Sequence, residues 1–518
     1  MRRPCWIALF CGLALSIAPG QRGSAQSAPP APQPAAVTPR AALYPRLDDA
    51  FLRWPLPEGA ERYAAIDGKR MHQDVVEQAL ISRRYRDRVH PKFWGRITGT
   101  SSDQESAQWL AARFKAVGLS DVKIQPLDLE PQWMPQSWDV VVTGAGKTVR
   151  LESAQPFYGA NALSAGGVDV AAVYAGLGSE ADFAEKDVSG KAVFVFNQTG
   201  LRDEGAVRRA DAKGAAVIFE VDMLPGNMRY QAYPSGTKAP AFTVGGDEGY
   251  TARDVIAVMP AGRAARVKAS FEMRRVPNLK TSLVWGTLPG ATDETIYLIA
   301  HRDGRFDAAG DNASGVASIV ALAEYYAKVP QADRRRTIVF VGLDGHHNSG
   351  TGAGVGRRWM WDNRKTLFPK TALMINAEHP STIQTTVRPR YYQNDNTIVW
   401  SNTYMPQQWY AGGPSRRTLE TIAVNAFRAF GASIYLDPNP RPPAGDLGAF
   451  FRGVPGVATS EFYHYFHTDQ ETPDTVPWTG LEATTRAYAK IIDEVNTLAL
   501  TDLQRPEEPV PAPSGPPR

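Results

Sequence analysis

Between residues 273 and 502 the chain alternates short apolar runs with stretches of helical period, and this alternation is the strongest constraint on its fold. The runs 295–300, 337–341 and 371–375 are almost wholly apolar, the pattern of strands buried on both faces. Helical spacing recurs near 314–328, 416–430 and 480–499. Such alternation predicts an α/β fold, a mixed, largely parallel sheet flanked by helices. Open α/β sheets place ligands beyond the carboxyl ends of their strands. Polar residues follow those ends here: His301 after the first run, His346 and His347 after the second, Glu378 after the third.

The chain has 518 residues, more than one ordinary core accommodates. Ahead of the alternating block, residues 104–117 carry helical spacing that Gly118 ends, and 121–125 alternate like a strand. Residues 41–130 form a first block. Residues 131–272 form a second, rich in Val, Gly and Ala, with short apolar runs at 191–196 and 215–219. Residues 26–40 read as an extended Pro/Ala linker and 503–518 as a Pro-rich tail.

Arg2 and Arg3, the apolar run from Cys5 to Pro19, and the small residues Gly23, Ser24 and Ala25 predict a signal peptide over 1–25. The run is short for a membrane span, so export to the periplasm or medium without stable membrane insertion is expected. Both cysteines, Cys5 and Cys11, lie in that segment. Cleavage would leave no thiol for catalysis, disulfides or Cys-ligated zinc, so a metal site must use His and carboxylates. The net charge is only +4, with no basic stripe, which argues against nucleic acid as a partner.

Six of the eight histidines fall in the alternating block: His301, His346, His347, His379, His464 and His467. A histidine after a buried strand can offer one ring nitrogen to a metal, while a carboxylate two residues on, here Asp303, fixes its tautomer. Asp311 lies in a Gly/Asn/Ser turn that can aim a carboxylate at the same site. Asp311 or Ser314 can also cap the following helix, and both roles are compatible.

His301-x-Asp303 followed by Gly310-Asp311-Asn312-x-Ser314-Gly315 resembles the metal-site signature of M28 zinc peptidases. The resemblance continues through Arg96-Ile-Thr-Gly-Thr100, the lead-in from Asn278 to Gly290, and His467-Thr with Thr472-Pro-Asp-Thr475. Residues 131–272 resemble the protease-associated domain inserted in many such enzymes, and 273–502 the metal-binding catalytic part. The resemblance implies two zinc ions per chain bridged by Asp311, with His301 and Glu378 on one and His467 on the other. It implies a cis peptide bond between Asp311 and Asn312, and a peptide or small amide as substrate.

The pattern departs from the family at one place. The family usually has Asp-Gly-Glu-Glu, with the first Glu as general base and the second as zinc ligand. This chain has Asp344-Gly-His346-His347. Imidazole is a good zinc ligand, so His347 is expected to bind with His467 and Asp311. His346 and Asp303 are the catalytic candidates, and Asp344, Glu461 and Glu471 are alternative bases. Substrate-binding candidates are Asp446, Tyr391, Tyr392 and His379; a turn aspartate and loop residues are the plainer readings. Arg388, Arg390, Trp400, Tyr404, Trp409 and Tyr410 are expected either to line a pocket or to pack within a long surface loop. His464 is expected to pack, and the Asn312-Ala-Ser314 sequon to belong to the metal turn. The expected function is amide hydrolysis of the aminopeptidase type. The rivals are a metal-binding protein without catalysis and a mononuclear enzyme, since two His and one carboxylate also suit iron.

Overall fold

A computed structural model describes residues 53–505 except 198–203, 223–225, 348–353, 390–395, 405–406, 433, 437–442, 444, 461–462 and 464. The expected signal peptide, the linker, most of the tail, and Arg390, Tyr391, Tyr392, Glu461 and His464 lie outside the described residues.

The block 273–502 builds its sheet from eight strands, the first borrowed from the N-terminal block. In chain order they are β1 (Ser120–Asp128), β2 (Lys280–Leu288), β3 (Thr295–His301), β4 (Thr337–Leu343), β5 (Thr371–Asn376), β6 (Gln407–Gly412), β7 (Ile434–Leu436) and β8 (Gly456–Ser460). Their order across the sheet is β7-β6-β8-β5-β3-β4-β2-β1. β8, β5, β3 and β4 run parallel at its centre. β2, β1 and β6 join antiparallel, so the sheet is mixed as expected.

The central strands are apolar throughout because both faces are covered. On β3, Ile296, Leu298 and Ala300 enter one core. Tyr297 and Ile299 enter the other. The first core lies under five helices: α1 (Gly68–Arg88), α2 (Ser101–Val117), α3 (Gly315–Ala327), α4 (Arg416–Ala429) and α5 (Trp478–Val495). α3 is buried on nearly every side, which is why its sequence is apolar all round rather than amphipathic. Gly118 ends α2 in the left-handed region, φ 86°, as its sequence position predicts.

Lys280 on β2 pairs with Asp128 on β1, so the intervening chain leaves and returns at one point. That insertion forms a second eight-stranded sheet. Its four central ladder partners, Val168–Tyr174, Ala192–Asn197, Val217–Asp222 and Ala241–Val244, are parallel. The long strands Gln132–Gly144 and Arg266–Val276 pair antiparallel beside them. It has its own core, in which Phe194, Phe219, Phe242 and Phe271 pack together.

Part of the aromatic stretch, expected as a long loop or pocket lining, runs as strands rather than as loop. Ile383–Pro389 and Asn396–Tyr404 pair as an antiparallel hairpin. Trp409 and Tyr410 lie on β6 and are buried in opposite cores, because a strand sends alternate side chains to opposite faces. Among the described residues no helix is long and apolar enough to cross a membrane.

Candidate metal centre

The carboxyl ends of β3, β4 and β5, and the loop after β8, converge on Asp311. Two imidazoles face each of its oxygens. His347 Nε2 lies 2.8 Å and His467 Nε2 3.0 Å from Oδ2. His301 Nε2 lies 3.1 Å and His379 Nε2 3.0 Å from Oδ1. His301 Nε2 and Asp311 Oδ1 are buried and face each other without hydrogen-bond geometry. Donors that converge in this way suit a cation between them. The clusters His347-His467-Asp311 and His301-His379-Asp311 each bring three ligand-type atoms within 4.8 Å of one another, so the residues fit divalent metals.

Backbone groups set the tautomers. His301 Nδ1–H donates to the Asp303 carbonyl (3.1 Å) and His467 Nδ1–H to the Gln231 carbonyl (3.2 Å), which leaves each Nε2 lone pair toward Asp311. The Asp303 carboxylate accepts the backbone N–H of His347 at 2.8 Å and that of His346 at 3.3 Å. It therefore positions the turn after β4. Burial alone would raise the carboxyls of Asp303 and Asp311; the surrounding imidazoles override it and hold both well below the ordinary carboxylate range.

The turn carrying Asp311 is held by residues the motif did not reveal. The Asp311–Asn312 peptide bond is cis, as the resemblance implied. Glu471 Oε1 accepts the Asp311 N–H (2.6 Å) and the Tyr463 hydroxyl (2.6 Å), and Oε2 the His467 N–H (2.9 Å). Burial, with the charge of Asp311 nearby, pushes its carboxyl up to about 8. Arg96 is fully buried and donates to the carbonyls of Arg302, Asp307 and Ala308, which ties the loop between β3 and Asp311. Ser314 does not cap α3: its hydroxyl donates back to Gly310, and Asn312 Oδ1 accepts the Gly315 N–H instead. Asn312 Nδ2 also donates to the Ala377 carbonyl, so the buried sequon belongs to the turn.

Beside the cluster, His346 Nδ1–H donates to Asp446 Oδ1 at 3.1 Å, and its ring stacks on His301. Burial would raise the Asp446 carboxyl, but His346 and Arg357 hold it down to about 2. Asp446 thus holds the ring of His346. Glu378 accepts from Asn376 Nδ2 (2.7 Å) and from the Asp446 N–H (3.3 Å), and converges with His301 and His346. His379, expected in a substrate-binding or loop role, is buried against Asp311. Asp344 lies behind the cluster against Arg302, where burial and Asp103 push its carboxyl well up, and Glu471 is engaged as above. Neither is placed as a base.

A central mixed sheet with a carboxylate-bridged histidine cluster at its carboxyl edge defines the zinc-exopeptidase class of fold. Residues 284–492 match the model of Peptidase family M28. Solved structures share the fold over most of the chain. BSAP, a zinc aminopeptidase from Bacillus subtilis, is 16% identical over 83% of this chain and 95% of that one, with a TM-score of 0.59. A peptidase M28 precursor from Shewanella amazonensis is 17% identical over 88% and 100%, TM-score 0.63. An aminopeptidase from Aneurinibacillus sp. strain AM-1 is 16% identical over 89% and 99%, TM-score 0.52. No curated protein matches the chain.

Proposed function

We propose that this protein is an exported zinc-dependent hydrolase of peptide or small amide bonds, aminopeptidase-like, with two metal positions sharing Asp311. The observation that carries this reading is the pairing of imidazoles on both oxygens of one buried carboxylate. His347 and His467 hold one position and His301 serves the other. Zinc held by these residues would lower the pKa of a bound water to about 7 and would polarise the scissile carbonyl. His346 stands where the base belongs. Asp446 fixes its Nδ1–H, so Nε2 takes the proton of the attacking water and returns it to the leaving amine. Asp303 keeps His346 and His347 in place through their backbone N–H groups.

The inserted sheet is read as a protease-associated domain that walls the cleft. Its support is the segment around Gln231, which touches the His467 loop. The exported location rests on the N-terminal sequence pattern alone. The test is zinc analysis of the purified protein with a panel of aminoacyl and amide substrates, before and after chelation. About two zinc ions per chain and chelator-sensitive amine release support the reading. Metal without turnover across the panel would leave a binding protein, and no metal would end the hydrolase reading.

A further inference from the structure

The family resemblance assigns the second metal position to the acid after β5, Glu378. The geometry points to its neighbour: we infer that His379 replaces Glu378 as the ligand that joins His301 and Asp311. This rests on the hydrolase reading above and deepens it.

Three observations carry the inference. Among the described residues, the ligand-type atoms that converge on Asp311 Oδ1 belong to His301 and His379, whereas Glu378 converges with His301 and His346. One oxygen of Glu378, Oε2, is also engaged, by Asn376 Nδ2 and by the Asp446 N–H. Finally, the backbone of His379 is turned into the left-handed region, φ 47°, which an L-residue rarely adopts. His467, the ligand on the opposite side, has the same feature at φ 61°. Surrounding groups hold His379 there: its N–H donates to Asn312 Oδ1 (3.3 Å), and Tyr463 and Phe466 pack against its ring at centroid distances of 5.6 and 5.3 Å.

The two positions then have matching donor sets, two imidazoles and one oxygen of Asp311 each. A set rich in imidazole favours zinc, copper, iron or nickel over magnesium or manganese, which prefer oxygen. Both positions therefore select the same kind of metal.

The full-length protein, H379A and E378Q are stripped with chelator, reloaded with zinc, and analysed for zinc per chain. The thermal gain on reloading is measured alongside. The expected result is two zinc ions in the wild type and E378Q and one in H379A, with a smaller thermal gain in H379A. Equal melting of all three stripped proteins shows that H379A folds. If H379A misfolds, H379Q replaces it and is read in the same way. Two zinc ions in the His379 variant, or one in E378Q, would overturn the inference and leave the hydrolase reading intact. A wild type that takes one zinc overturns it and cuts the reading above back to a single metal position, with hydrolysis still decided by the substrate panel. A wild type that takes none overturns both.

Discussion

His346 and Asp446 lie 100 positions apart in the chain, yet their side chains meet at 3.1 Å. Removing the charge of Asp446 without changing its size tests what that contact does. Asp446→Asn is expected to keep its zinc and lose about 10–100-fold in kcat, because an outer partner that orients a working imidazole is worth about that much. Zinc content and kcat measured on one preparation check this; unchanged kcat would show that His346 needs no anchor. Residues of this scale were only partly legible. His301, Asp311, His347 and His467 could be read because each follows an apolar strand or sits in a recognisable turn. His379 looked like a loop residue, since nothing in a linear sequence says that a left-handed backbone aims its ring at Asp311. Arg96 and Glu471 serve backbone groups far from them in sequence, and such service leaves no local pattern.

The elements were easier to foresee, because burial on both faces of a strand writes itself as an apolar run. The joint between α3 and β5 shows why the turn needs its small residue. A Cβ on Gly315 would lie 2.1 Å from the Ala377 carbonyl oxygen and 2.3 Å from Asn312 Oδ1. Gly315→Ala must therefore push the start of α3 off the exit of β5. A loss of about 1–3 kcal/mol of stability is expected, the usual cost of overpacking a filled site. Chemical denaturation of the stripped protein measures it; a change near zero would mean the joint has slack. The hairpin Ile383–Pro389 with Asn396–Tyr404 and the placement of β6 escaped the sequence reading. There the many aromatic residues hid the period of two that marks a strand.

At the scale of the whole molecule, the inserted sheet and the catalytic sheet meet at the His467 loop. Gln231 N–H donates to the His467 carbonyl (3.0 Å), and the backbones and carboxylate of Arg229 and Asp469 bond reciprocally. Asp469→Ala removes the Asp469 carboxylate's bond to the Arg229 N–H (3.1 Å). One zinc, the one at His467, is expected to leave about 10–100-fold faster into excess chelator, while the other leaves at the wild-type rate. Two-phase release followed with a metal indicator checks this; parallel acceleration of both phases would place the coupling elsewhere. That residues 131–272 form a block of their own was legible from composition, and that the block is an insertion came from the family resemblance. That it touches a metal ligand was not, because the bond spans 236 positions.

That bond also sets an order of events. The ring of His467 is bonded through Nδ1 to a segment made 236 residues earlier, beside the inserted sheet. Contacts so distant in sequence form late, since the loop they close is costly in entropy. The centre is therefore finished last. The four-imidazole cluster around Asp311 is thereby tied to the docking of the inserted segment.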